Sequence, residues 1–186
     1  TIMAEFGAEV IKVEQPRVGD PCRRLGTGSA CGETLLWLSE ARNKKSVTLD
    51  LQSARGRELA HALAGKSDVL IENFRPGTME KWGLGPQDLK REHPELIYAR
   101  VSGYGQTGPY AARPGFASVC EGYARFRYLD GVRGSAPVRP NISMGDTLAG
   151  LHAVLGILLA LTARLRRMAP AGQVVDVAIY ESVFNM

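Results

Sequence analysis

The feature that most constrains the fold is the alternation of short apolar runs with helical stretches. The run at residues 68–73 is nearly continuously apolar, which is typical of a parallel strand covered on both faces. Similar runs predict four further strands, at residues 8–14, 46–51, 96–101 and 173–179. Helices are predicted at residues 2–6, 79–84, 87–93, 117–125 and 147–167. A further helix is predicted directly after Ser53, which can act as its N-cap. Repeated βα units of this kind predict an α/β fold, with a Rossmann-like parallel sheet and flanking helices.

Length and charge indicate one soluble domain. The chain has 186 residues, within the roughly 100–200 that are usual for a domain. Its net charge of +4 comes without a Lys/Arg run along one face, which favours a phosphate-bearing small molecule over a nucleic acid. The uncharged segment 147–163 is shorter than the roughly 20 residues of a membrane span, so a buried core helix is expected and a membrane is not.

Cysteine and histidine usage predicts no metal site. The cysteines, Cys22, Cys31 and Cys120, are scattered and odd in number, and no histidine lies near them in sequence. Such a set forms neither a disulfide framework nor a zinc site. A reducing, cytoplasmic compartment is therefore expected.

Both ends of the chain are expected to lie inside structured elements. Residues 2–6 resemble the last turn of a helix that Gly7 stops, and residues 183–186 begin an apolar pattern that goes no further. We therefore expect the chain to be part of a longer protein.

Residues 103–108 match the G-x-G-x-x-G pattern of dinucleotide-binding loops. That function needs a helix to open within the loop, whereas Pro109 and Pro114 follow with no helical periodicity between them. The expected alternative is a loop whose glycines allow close approach beside a crowded site.

Residues 73–77 lie at the C-terminal end of the predicted strand 68–73, outside the edge where α/β sheets bind ligands. Arg75 offers a fork of donors for a phosphate, and Phe74 offers a ring face for a base. An ordinary strand-to-helix turn with a solvent-facing arginine fits the residues equally well. The same choice holds for the cations Lys44 and Lys45, which are usually just solvated.

Asp146 precedes the long apolar helix and has two compatible interpretations. It could be the N-cap of that helix. A carboxylate near a helix N-terminus is also held ionised by the dipole, and in a small site it can attack a carbonyl carbon. Gly145 would leave room for that carbonyl.

Six segments occur along nearly the whole chain in the order of one known family. They are residues 6–14 (FGAEVIKVE), 42–46 (RNKKS), 68–77 (DVLIENFRPG), 103–109 (GYGQTGP), 145–146 (GD) and 172–177 (GQVVDV). Together they resemble the class III, formyl-CoA:oxalate-type CoA-transferases. The resemblance implies that residues 1–186 are part of the large domain of such an enzyme, with a first strand upstream and a small domain downstream.

The resemblance also implies the chemistry. Asp146 matches the family's nucleophile, which attacks an acyl-CoA thioester and forms an aspartyl anhydride. The partners would be acyl-CoA and small carboxylic acid substrates, with no tightly bound cofactor and with an interlocked homodimer at full length. The segments around 143–146 and 106–109 look most like members that use succinyl-CoA and short dicarboxylic acids. The implied CoA contacts are Leu49, Asp50, Gln52, Asn73, Phe74, Arg75, Lys81 and Arg113.

Some positions depart from the family pattern. Gln15 stands where many members have a basic residue near the CoA phosphates, and Ala117 stands where an acidic residue is common. A racemase on the same fold would need a histidine where Phe116 stands, and a phenyl ring cannot exchange protons. A transferase is therefore preferred, and an isomerase or a non-catalytic CoA-binding relative is the alternative.

Overall fold

A computed structural model describes residues 1–139 and 141–186 and contains two units, residues 1–62 and 63–186. The chain passes from the first unit into the second within one helix. The first unit contains α1 (Ile2–Glu5), β1 (Val10–Glu14), a 3₁₀ turn (Pro21–Arg24), α2 (Leu35–Glu40), β2 (Lys44–Thr48) and most of α3 (Ala54–Ala64). Strands β1 and β2 pair in parallel, with Val10 opposite Lys44.

The buried carboxylate of Glu14 organises the first unit. Arg23 donates to both of its oxygens, at 2.9 and 3.0 Å, and the Asp20 amide donates at 2.8 Å. Ser46 on β2 donates a further hydrogen bond of 2.6 Å. The hydrogen bonds from Arg23 lower the pKa of Glu14 to about 2, although burial opposes the shift. The guanidinium of Arg23 also lies 3.9 Å from the ring centroid of Trp37.

The second unit is built on a three-stranded parallel sheet in the order β3-β4-β5. Its elements are β3 (Val69–Glu72), α4 (Thr78–Lys81), α5 (Pro86–Glu92), β4 (Ile97–Ser102), α6 (Ala117–Tyr123), α7 (Phe126–Leu129), α8 (Met144–Leu165), β5 (Val174–Ala178) and α9 (Ile179–Phe184). The central strand β4 is almost completely buried. Helix α8 packs on β4 and β5 and also contacts α6 and α9.

Helix α8 meets the sheet through small residues. Ala149, Ala153 and Ala160 are buried along one side, and Gly156 lies so close to β5 that an added Cβ would be 2.6 Å from Val175 Cγ1. Within the described part of the chain, α8, with 22 residues, is the one helix long and apolar enough to cross a membrane. Length and composition alone do not separate such a span from a core helix, and the small-residue contacts are those of a helix packed on a sheet.

The predicted α/β fold with parallel strands and flanking helices is confirmed, with differences at several boundaries. The strands form two sheets, β2 begins at Lys44 rather than at 46, and α8 begins at Met144 rather than at 147. Helix α9 was not predicted, because its apolar residues continue the run of β5 without a break. In the segment 129–142, predicted to be irregular, Leu129 ends α7 and residue 140 lies outside the described residues.

Two glycines of α8 should respond in opposite ways to alanine. Gly156→Ala should lower the free energy of unfolding by about 1–3 kcal/mol, because the stiff side chain of Val175 leaves no room for a methyl group. Gly150 has nothing within 4 Å of its ideal Cβ, so Gly150→Ala should raise it by about 0.5–1 kcal/mol through helix propensity. Urea unfolding followed by circular dichroism measures both. Equal stabilisation by the two substitutions would contradict the close contact with β5.

Glu14 should make the first unit sensitive to acid. Because its pKa falls from 4.5 in the unfolded chain to about 2, its stabilisation is complete above pH 4.5 and is lost as the pH falls towards 2. Glu14→Gln should therefore be less stable than wild type at pH 7, and the difference should shrink between pH 4.5 and 2. Trp37 fluorescence in a Trp82→Phe background reports this unit.

The control for this experiment is Glu33→Gln. Glu33 also pairs with Arg23, at 3.0 Å, but is partly exposed. Its loss should change stability by less than about 1 kcal/mol. Parallel stability curves for wild type and Glu14→Gln across this pH range would disprove the assignment.

Candidate active site

Asp146 is the third residue of α8 and is exposed at the positive end of the helix dipole. The N-cap position belongs to Ser143, whose hydroxyl binds no first-turn amide and instead donates to Asp146 Oδ2 at 3.2 Å. The interpretation of Asp146 as the N-cap is therefore wrong, because the helix begins earlier than the sequence pattern predicts. The carboxylate is left accessible to a ligand.

The first turn of α8 is held by a carboxylate from another helix. Glu121 of α6 is completely buried, and its Oε1 accepts the Gly145 amide at 3.0 Å. Its Oε2 has no hydrogen-bond partner among the described residues and lies 3.6 Å from Nε of Arg139. Glu121 was not predicted as a site residue; the available signal was a single acidic residue within the predicted helix 117–125.

Close packing surrounds the residue before Asp146. A Cβ added to Gly145 would lie 3.1 Å from both Ala117 Cβ and Ile179 Cγ2. Each of these neighbours would have to move by a few tenths of an ångström to admit a side chain. Gly145 therefore fits tightly between α6 and α9, and the backbone of the turn that carries Asp146 has little freedom.

The glycine-rich loop after β4 is joined to the same region. A Cβ added to Gly103 would be only 2.6 Å from Gly115 Cα, so these backbone segments touch. The carbonyl of Gly103 accepts from the Cys120 thiol at 3.3 Å and from the Tyr180 amide at 3.2 Å. No helix begins between the end of β4 at Ser102 and the start of α6 at Ala117, as predicted for a close-packed loop and unlike a dinucleotide-binding turn.

Four tyrosine rings pack beside this loop. The rings of Tyr104, Tyr110, Tyr123 and Tyr180 make contacts with centroid separations of 5.2–5.7 Å. Arg113, one of the predicted CoA contacts, is exposed and stacks over Tyr110 with its guanidinium carbon 4.1 Å from the ring centroid. The cation is thus held on an aromatic surface with its donors available.

The predicted phosphate-binding segment lies directly after β3. Asn73, Arg75 and Lys81 are exposed, and Phe74 makes an edge-to-face contact with Trp82 at a centroid distance of 5.1 Å. Among the described residues, neither Arg75 nor Lys81 has an ion-pair partner. Both cations are therefore available to an anionic ligand.

A buried ion network at the end of β3 holds the backbone of this segment. Glu72 Oε2 accepts the Phe74 amide at 2.7 Å, and its Oε1 accepts from Arg100 Nε at 2.7 Å. Arg100 also bonds Glu80 at 2.6 Å. Burial disfavours the charge on Arg100, but the hydrogen bonds with Glu80 and Glu72 outweigh it and raise its pKa. This network was not predicted, although an arginine inside the apolar run of β4 was a signal that a buried partner exists.

In the first unit, the remaining predicted CoA contacts form the turn between β2 and α3. Asp50 Oδ1 accepts the Gln52 amide at 3.0 Å, and both side chains are exposed. Ser53 caps α3 as predicted, because its hydroxyl accepts the Gly56 amide at 3.0 Å. Leu49 precedes this turn, and its amide donates to the Glu14 carbonyl at 3.0 Å.

The basic pair at the start of β2 makes contacts within the first unit. Lys45 pairs with Glu9 at 2.6 Å. Lys44 donates to the Thr1 hydroxyl at 2.9 Å and to the Glu40 carbonyl. These contacts favour the structural interpretation of the two cations over a phosphate-binding one.

In the second unit, several of the predicted site residues lie in segments that follow the strands at one edge of the sheet. The carboxyl ends of the parallel strands β3, β4 and β5 meet there, followed by the Asn73–Arg75 segment, the glycine-rich loop and α9. Asp146 is connected to this edge through Glu121 and Cys120 of α6. An exposed carboxylate, free cations and an aromatic surface are groups that could take part in covalent transfer on a phosphate-bearing ligand.

Comparison with known proteins gives one consistent result. The family model for CoA-transferase family III matches residues 1–186. The chain is 52% identical over 186 residues to the succinyl-CoA–L-malate CoA-transferase beta subunit of Chloroflexus aurantiacus, covering 100% of this chain and 45% of the relative. It is 50% identical over 185 residues to the succinyl-CoA–D-citramalate CoA-transferase of the same organism, covering 100% of this chain and 46% of the relative.

A solved structure shows the same fold. The crystal structure of a CAIB/BAIF family protein from Brucella suis matches with a TM-score of 0.92 and 34% sequence identity, covering 99% of this chain and 49% of that one. The chain therefore spans about half the length of the relatives it matches.

The electrostatics of the site predict which cysteine reacts with alkylating reagents. Burial raises the pKa of the Cys120 thiol to about 11, and the charges of Asp146 and Glu121 add to the shift. Roughly one Cys120 thiol in a thousand is then ionised at pH 8. Cys31 is exposed, and its hydrogen bond with Ser29 lowers its pKa. Iodoacetamide at pH 8 should modify Cys31 first and Cys120 only on unfolding, as read by peptide mass spectrometry. A Cys31→Ser variant should lack the fast phase; fast labelling of native Cys120 would contradict this picture.

Proposed function

The chain belongs to CoA-transferase family III, and from this premise we propose that it carries the nucleophile of an enzyme that transfers CoA between carboxylic acids. The observation that carries the proposal is the exposed Asp146 carboxylate on a helix turn that other elements hold in place. The proposed substrates are succinyl-CoA and a short dicarboxylic acid, in line with the names of the relatives. The chain is proposed to be part of the large domain of a cytoplasmic homodimer.

The proposed reaction begins with attack of an Asp146 oxygen on the thioester carbonyl of the donor. The C–S bond breaks, CoA leaves as the thiolate, and an aspartyl-acyl anhydride remains. The thiolate then attacks the Asp146 carbonyl, which releases the donor acid and forms an aspartyl-CoA thioester. The acceptor carboxylate displaces CoA to give a second anhydride. The thiolate finally attacks the acceptor's acyl carbon, which yields the new acyl-CoA and restores Asp146.

CoA is proposed to bind through segments that are already ordered for it. Arg75 and Lys81 supply free cations for its phosphates, and the partly exposed ring of Phe74 offers a face for adenine. Arg113 adds a guanidinium held on Tyr110. In the first unit, Leu49, Asp50 and Gln52 are proposed to contribute further contacts through their capped turn.

A racemase mechanism is disfavoured by the residue at the start of α6. Phe116 is the N-cap residue of that helix and is 76% exposed. It offers no group that can exchange a proton, as a racemase base must.

Loss of the nucleophile should abolish transfer while binding persists. Asp146→Ala in the full-length protein should lower kcat for CoA transfer by at least roughly a thousandfold. The Kd for CoA should change little, because the proposed CoA contacts are other residues. Product CoA esters are read by mass spectrometry, and hydroxylamine should convert Asp146 of the wild type to its hydroxamate during turnover.

The matched control is Glu58→Ala, which removes an exposed carboxylate whose ion pair is with Arg55 on α3. This variant should retain wild-type turnover. Turnover by Asp146→Ala at the wild-type rate would disprove the nucleophile assignment. A wild-type protein that binds CoA but transfers none to any acid would indicate a non-catalytic relative.

A further inference from the structure

We propose that Glu121 is a positioning residue for Asp146: from its buried place on α6 it fixes the first turn of α8 through the Gly145 amide. The inference rests on the proposed function and adds a residue to it. Glu121 touches neither substrate nor the reacting atoms in this scheme. It acts through the backbone of the residue that precedes the nucleophile.

The hydroxyl of Ser143, the N-cap residue of α8, does not cap the helix. An N-cap serine ordinarily accepts a first-turn amide with its own hydroxyl. Here the Ser143 hydroxyl donates to Asp146 Oδ2 instead, and Ser143 makes no side-chain cap. The Gly145 amide is satisfied by Glu121 Oε1, from 24 residues earlier in the chain. The serine thus orients the nucleophile's carboxylate, while Glu121 holds its backbone.

Because Glu121 is buried, loss of its hydrogen bond with the Gly145 amide would be energetically costly. Glu121 has no exposed surface, and an uncompensated carboxylate in such a place is costly. Its compensation consists of the Gly145 amide at 3.0 Å and the guanidinium of Arg139 at 3.6 Å. If the first turn of α8 moved away, Glu121 would lose the hydrogen bond that the Gly145 amide donates to it. The native position of the turn is therefore favoured by the free energy of the buried charge.

Packing removes the other freedoms of the same turn. Gly145 lies between Ala117 and Ile179, each 3.1 Å from an ideal Cβ at that position. The amide of Gly145 points to Glu121, so sideways motion and rotation are both opposed. Misplacing a reacting group by about 1 Å can cost roughly a hundredfold in rate, so this restraint acts on catalysis.

The chain contains a matched contact at the proposed CoA segment. Glu72 is also buried, pairs with an arginine, and accepts the Phe74 amide at 2.7 Å. If each carboxylate positions the segment it holds, removing Glu121 and removing Glu72 should affect different kinetic constants. Glu121 should control the chemical step, and Glu72 should control CoA binding.

The test compares Glu121→Leu, Glu121→Gln and Glu72→Leu in the full-length protein, with succinyl-CoA as donor and a dicarboxylic acid as acceptor. Glu121→Leu should lower kcat, and the single-turnover rate of Asp146 acylation, by about 10- to 100-fold. Its KM for succinyl-CoA should stay within about twofold of wild type. Glu121→Gln keeps an oxygen that can accept the Gly145 amide and should recover most of kcat. Glu72→Leu should raise KM at least about tenfold with a smaller effect on kcat.

Each other outcome overturns the positioning role. Wild-type kcat in Glu121→Leu would show that the turn needs no restraint. Equal losses of kcat and CoA affinity in the two leucine variants would indicate a general structural role. A Glu121→Gln variant as slow as Glu121→Leu would show that the hydrogen bond to Gly145 is not what matters.

Two controls keep the result interpretable. Should Glu121→Leu fail to fold, Glu121→Asp takes its place: it keeps the charge but withdraws the oxygen from Gly145, and the same fall in kcat is expected. Wild type and Asp146→Ala are assayed in parallel. An inactive wild type or a fully active Asp146→Ala would overturn the proposed function, whereas an unaffected Glu121→Leu beside an inactive Asp146→Ala overturns the positioning role alone.

Discussion

Buried carboxylates that bind backbone amides are the contacts on which the turns of this structure depend. Glu14, Glu72 and Glu121 each accept a hydrogen bond from the amide of a turn, and each faces an arginine. A carboxylate removed from water must be compensated by hydrogen bonds and opposite charge. Because part of the compensation comes from a turn, the charge is satisfied only when that turn has its native conformation. The cost of burial is thereby converted into backbone order at two loop positions, Asp20 and Phe74, and in the first turn of α8.

Under the proposed function, this arrangement separates CoA binding from chemistry within the second unit. The segment after β3 presents free cations and is held by Glu72, whereas Asp146, the proposed nucleophile, lies in the helix turn that is held by Glu121 on α6. In group transfer, interactions shared by the bound and transition states change KM, and those formed only in the transition state change kcat. Placing ligand binding and chemistry on different supported segments allows each to be tuned without disturbing the other. The exposed Asp146 carboxylate remains accessible because Asp146 is not the N-cap of α8, so its side chain is not used to accept a first-turn amide.

The sequence predicted the strands well, because burial on both faces leaves apolar runs that stop at polar turns. Strands β3 and β4 were predicted within one or two residues, and so was the glycine-rich loop, whose prolines prevent a helix. Boundaries failed where local patterns overlap: Ile179 continues the run of β5, and Ser143, not Asp146, precedes α8. Glu121 could not be predicted, because its partner lies 24 residues away and its role exists only after α6 and α8 pack.

The long helix α8 links the sheet to Asp146, the proposed nucleophile. Gly156 lets α8 approach Val175 of β5, and near its amino end Gly145 meets Ile179, the first residue of α9. Both contacts are made with one continuous stretch of chain, since α9 follows β5 directly. The two glycines therefore seat α8 against the same strand-helix corner at points about three turns apart. A helix seated at two such points cannot slide along its axis or tilt at its amino end without a steric clash. The position of Asp146 is thus set by the packing of the whole helix as well as by the turn that contains it.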